Sequence, residues 1–134
     1  MNLFRNWAAS DFQQQAAEFC ALARASYGLE LDYTAATLTD LDHLIETHFG
    51  PRSADDNPAV IVMMGCYVGE VLIRRHGGVW CGAEEFFRSP AVVMEGKLQT
   101  RTFPLSRVWK RFEYGPEHSL EAYYREVGGL LARL

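Results

Sequence analysis

The sequence contains no uncharged apolar run of membrane-spanning length. Its longest candidate, starting at Pro58, is broken by Glu70, Arg74 and Arg75. The opening MNLFRNWAASDFQQQ lacks a secretory signal's hydrophobic stretch, so a cytoplasmic chain with no membrane association is expected. Cysteine is scarce: Cys20, Cys66 and Cys81 are odd in number, without C-x-x-C spacing and in apolar surroundings, which fits reduced core thiols and not a disulfide framework. Histidine is equally sparse, at positions 43, 48, 76 and 118, with no H-x-x-x-H. His43 and His48 fall roughly 140° apart around a helix, a poor geometry for one ion. His76 reads as a charge partner for a helix C-terminus. No G-x-S-x-G, G-x-G-x-x-G or P-loop occurs, so neither nucleophilic catalysis nor nucleotide binding has a motif behind it. No metal and no cofactor are expected.

What the chain does have is apolar content: 49% of 134 residues, enough for one core in a single domain spanning 1–134. Its net charge of −4 is unevenly spread. Residues 1–58 hold three basic and nine acidic side chains, residues 59–112 eight and four, and residues 113–134 two and four. A basic middle between acidic ends suits docking of an acidic protein or of a second copy, a homodimer, although solvation accounts for it equally well.

Periodicity divides the chain into five helices and a small sheet. Ser10 with Gln13 reads as a capping box for a first helix burying Phe12, Ala16, Phe19, Cys20, Ala23 and Tyr27 and stopping at Gly28. Thr34 is placed to cap a second, with Leu38, Leu41, Leu44, Ile45 and Phe49 inward. Asn57-Pro58 opens a central helix that is apolar almost all round, the pattern of a buried element. Gly65 and Gly69 share one of its faces and admit a close neighbour. Beyond Gly77-Gly78 the period shortens, and Val79–Phe87, Ala91–Met94 and Lys97–Phe103 read as an antiparallel meander. Pro104 or Ser106 starts a fourth helix to Tyr114. Ser119 caps a fifth that carries Leu120, Tyr124, Val127, Leu131 and Leu134, with Gly128-Gly129 expected to fray or kink it. Three helices, a three-stranded meander and two more helices make an α+β fold.

Two clusters are candidates for function. Tyr67, Glu70 and Arg74 are spaced three and four apart on the central helix, so phenol, carboxylate and guanidinium can form one ladder, with Trp80 nearby as a ring platform. A buried Glu70 must be paired, whether with Arg74 or at a strand end, or else act as a general base in a cleft. On the fourth helix, Arg107, Lys110 and Arg111 lie opposite a Leu105–Val108–Trp109–Phe112 stripe. This basic face is a solvated surface or a dock for an acidic partner, whereas nucleic acid is disfavoured by a pI near 5.5.

The G-x-x-x-G-E-x-L of Gly65–Leu72, the glycine pair before Trp80, and F-P-x-S-x-V-x-K-R-x-E-x-G in Phe103–Gly115 together resemble a bacterial family catalogued as a domain of unknown function. The likeness covers roughly residues 29–127, includes LDYTAATLTDLD, and departs in the hairpin AEEFFRSPAVVMEG. It places Gly65, Gly69, Trp80, Lys110 and Arg111 at motif positions and implies no activity. The leading reading is therefore a non-catalytic bacterial protein-interaction or accessory module, immunity-like in accompanying or neutralising another protein. The alternative is a small-ligand binder or enzyme using a cleft around Tyr67, Glu70 and Trp80.

Overall fold

The computed structural model describes residues 3–82, 89–96 and 100–132. Its elements run α1 (Ala9–Tyr27), α2 (Ala36–His48), α3 (Pro58–His76), β1 (Gly78–Cys81), β2 (Ala91–Met94), β3 (Arg101–Thr102), α4 (Pro104–Tyr114) and α5 (Leu120–Ala132). Short 3-10 turns at Ala54–Asp56 and Pro116–His118 precede α3 and α5. This is the α+β order expected: three helices, an antiparallel sheet in the order β1-β2-β3, then two helices. No helix among the described residues is long and apolar enough to cross a membrane.

α3 is the axis, packed against α1, α4, α5 and the first two strands. Ten of the twelve positions from Ile61 to Leu72, among them Met64, Tyr67, Val68 and Val71, are buried, with only Val62 and Met63 partly exposed in that span. The paired glycines explain how α4 comes so close. A Cβ on Gly65 would lie 2.7 Å from the Leu105 Cα, and one on Gly69 would collide with the Trp80 ring.

Local signals are placed well where one residue decides them. Gly28 takes φ 63° and stops α1, Pro58 occupies the first turn of α3, and Ser119 Oγ accepts from the Ala122 N–H at 3.1 Å to cap α5. Four expectations are corrected. α1 begins at Ala9, so Ser10 and Gln13 lie within it, and Asp11 closes the first turn by accepting from the Ala8 N–H at 2.7 Å. α2 begins at Ala36, and Thr34 donates to Asp32 instead of capping the helix. α5 continues through Gly128-Gly129 to Ala132 and buries Tyr123 where Tyr124 was expected. Finally, β1 ends at Cys81 and β3 spans only Arg101–Thr102. Residues 83–87 and 97–99 of the expected strands lie outside the described residues, as does Leu134. Register pairs Trp80 with Val92 and Val92 with Thr102, placing the indole on the face that meets α3.

Candidate functional site

The supposed Tyr67–Glu70–Arg74 ladder is not formed, because each side chain turns to a different neighbour. Tyr67 is fully buried. Its hydroxyl accepts from the Tyr33 backbone N–H at 2.9 Å and lies 2.7 Å from Thr37 Oγ1, which itself donates to the Thr34 carbonyl at 2.6 Å. Since the single threonine proton is spent on that carbonyl, Tyr67 donates to Thr37, giving a directed chain from Tyr33 to Thr34 through two buried hydroxyls. Burial raises the Tyr67 phenol above its ordinary value, so it remains a neutral donor.

Tyr33 was not singled out by the sequence, yet it is the most unusual residue here. It sits at φ 64°, a left-handed conformation that side-chain-bearing residues seldom adopt. Its ring stacks on Tyr67 at 4.8 Å between centroids, and the exposed Arg74 guanidinium lies over it, 3.5 Å from the centroid. Burial, and then the Cys20 thiol beside its hydroxyl, push the Tyr33 phenol upward.

Glu70 is 4% exposed and makes no ion pair with Arg74. Its Oε2 accepts from the Trp80 indole N–H at 2.8 Å. The indole stacks on Phe12 at 4.2 Å with an interplanar angle of 4° and covers Gly69. Trp80 is therefore a wedge between α1 and α3, and Glu70 satisfies its polar edge. Burial, with the Glu70 charge as a lesser cause, pushes the Cys66 thiol up to about 12, leaving it inert. Tyr67 and Glu70 are buried, and the Trp80 indole lies against Gly69 and Phe12.

The basic face of α4 is also largely internal. Arg111 is 4% exposed: Nε donates to Asp42 Oδ1 at 3.2 Å, and Nη2 to the Asp42 carbonyl at 3.1 Å and Glu46 Oε2 at 3.0 Å. Arg107 donates to the carbonyls of His118 and Ser119 and lies 3.7 Å from Glu126. Of the three, only Lys110 is exposed. The physical reason is that α2 places carboxylates beside Arg111, and α5 and its incoming turn place a carboxylate and carbonyls beside Arg107, which long cations satisfy.

His76 also departs from expectation. Its ring packs against Tyr124 at 5.7 Å with Nε2 buried and unpartnered, and burial followed by the Arg75 charge lowers its pKa. It is a neutral packing group, not a cation at the helix end. No cluster of three potential metal ligands exists among the described residues. The three cysteines are free thiols.

Open space lies elsewhere, at the start of α3. Phe4, Pro58, Ile61, Val62, Leu105 and Trp109 line a groove of about 380 Å³, with exposed Asp55 at its rim. Trp109 belongs to the apolar stripe of α4 and Val62 to the almost wholly apolar α3, and only packing tells which core-type residues remain half-covered.

Comparison of the chain with protein-family models, curated proteins and solved structures finds no match in any of the three.

Proposed function

We propose that this chain is a non-catalytic protein-interaction or accessory module, immunity-like in binding and covering another protein. The observation that supports this is the groove between α3 and α4. It is walled by apolar side chains on two rigid helices, and its one charged lining residue, Asp55, has no side-chain partner among the described residues. An apolar anchor with a neighbouring Lys or Arg on a partner protein suits such a groove. The polar side chains that chemistry would need, Tyr67, Glu70 and Arg111, are committed to internal hydrogen bonds. Free thiols accord with a reducing, cytoplasmic setting, and a bacterial origin is proposed from the resemblance of the Gly65–Leu72 and Phe103–Gly115 motifs alone.

A second reading is a small-ligand binder at the same groove, since its volume falls in the range of about 300–1,000 Å³ typical of such sites. Photo-crosslinking in the native cell separates the two. A photoreactive residue at Val62 should trap one protein of defined mass, while the same residue at exposed Glu18 on α1 should not. A small molecule retained in native mass spectrometry, displaced by Val62→Trp and accompanied by no crosslinked protein, would favour the ligand reading. A homodimer would appear as a crosslink at twice the chain mass.

A further inference from the structure

The sequence placed an acidic partner on α4, but Arg107 and Arg111 are neutralised from within. Exposed Arg5, Arg52, Arg74, Arg75 and Lys110 have no ion pair among the described residues, and of these Arg74 is the one held over an aromatic ring. Its contact is with the Tyr33 ring, face to face. The acid beside Tyr33 and the acid one turn before Arg74 are engaged elsewhere: Asp32 accepts from the Thr34 N–H and hydroxyl, and Glu70 from Trp80. A guanidinium stacked by its face keeps its in-plane N–H donors open to solvent, the edge that matches the two oxygens of a carboxylate.

Its platform is built, not incidental. Tyr33 is held in a disfavoured backbone conformation by the hydrogen bond from its N–H to Tyr67, and its ring is fixed by stacking on that same buried phenol. Tyr67 is in turn anchored through Thr37 to Thr34. The inner face of the Tyr33 ring packs on the core through Tyr67, so the strained residue holds the exposed Arg74 guanidinium on a fixed platform. We propose that Arg74 is a preset receptor for a carboxylate, supplied by an Asp or Glu side chain of a partner protein. Asp32, next to Tyr33 in sequence, and Glu70, one turn before Arg74, offset the charges of Arg74 and Arg75, so the local field does not gather a phosphate dianion and a singly charged carboxylate is favoured. Exposed Arg75 adds a second cation to the approach. The receptor lies near the C-terminal end of α3 and the groove at its start, about 24 Å apart along the helix, so the two are separately testable.

The test is titration of the protein with an acetylated Asp/Glu peptide, followed by NMR of arginine Nε–H resonances, with inorganic phosphate in parallel. The Arg74 resonance should shift saturably with the peptide and much less with phosphate. Arg74→Lys keeps the charge on an exposed position but loses the planar edge and the stack, and should weaken binding about fivefold. Equal binding by Arg74→Lys, no shift at Arg74, or a phosphate response as strong as the peptide's would each overturn the inference. A protein crosslinked at Val62 together with no peptide-induced shift at Arg74 would leave the interaction reading intact while this inference fell.

Discussion

The carboxylate of Asp42, in the middle of α2, caps α5 from 78 positions away: Oδ1 accepts from the Leu120 N–H at 2.8 Å. Oδ2 accepts from the Glu121 N–H at 3.0 Å, and Arg111 binds the same group. One side chain thereby satisfies two unpaired N–H groups of a helix start and complements its positive dipole end, while neutralising a buried guanidinium.

Asp42→Asn should therefore act on two helices at once. It removes the charge facing Arg111 and one of the two accepting oxygens, and we expect a loss of about 3 kcal/mol, the low end for breaking a buried pair because Glu46 remains. Urea unfolding measures it. Asp42→Asn within about 0.5 kcal/mol of the parent would show that Glu46 and Ser119 suffice.

Glycines on two helices should respond with opposite signs. Gly65→Ala and Gly69→Ala place a Cβ against Leu105 and Trp80 and should each destabilise by about 1–3 kcal/mol despite better helix propensity. Gly129→Ala meets nothing within 4 Å, and Gly128→Ala meets only the His76 ring at 3.6 Å, so both should stabilise by about 0.5–1 kcal/mol. Thermal melts of the four variants decide this, and stabilisation by Gly65→Ala would contradict the tight α3–α4 contact.

Glu70 and Trp80 should be coupled. Glu70→Leu orphans a buried indole N–H at a cost of about 1–3 kcal/mol, whereas Glu70→Gln keeps an acceptor and should lose less. Trp80→Phe removes the donor, and a double-mutant cycle with Glu70→Leu should return a coupling of about 1 kcal/mol. Additive losses would mean that the 2.8 Å hydrogen bond contributes nothing.

His76 gives the fold a pH dependence of defined sign. Its folded pKa lies below its ordinary value of 6.5, so the unfolded chain binds the proton more readily. The stability it contributes is complete above about pH 6.5 and declines as pH falls below that value. Unfolding midpoints at pH 7.5 and 5.5 should differ less in His76→Phe than in the parent. An unchanged difference would remove His76 as the cause.

Elements were legible wherever a local rule has one solution. Pro58, Gly28 and Ser119 marked helix ends because φ, a missing donor or a short hydroxyl decides them within one turn. The glycine face of α3 announced a close neighbour without naming it, and only tertiary packing supplied Leu105 and Trp80. Arg111 misled because a cation opposite an apolar stripe is solvated in an isolated helix, whereas here α2 supplies its carboxylates. The pair Asp42 and Glu46, four apart with no basic residue between them on that face, was a signal that could have been used. Tyr33 carried none, since neither Gly nor Asn flags its positive φ.

The span between Asp42 and Leu120 also orders the assembly of the molecule in time. Closing a loop of that length costs only about 0.4 kcal/mol more chain entropy than bringing Phe19 of α1 to Tyr67 of α3, so the order is set by synthesis, in which α1 and α3 can meet before α5 is made. On the ribosome, Asp42 and Glu46 emerge as an unneutralised acidic pair and stay so until Arg111 and the start of α5 leave the exit tunnel. Nascent chains halted before Leu120 should hold a collapsed α1–α3 unit with that acidic face bare, open to proteolysis until the last helix arrives.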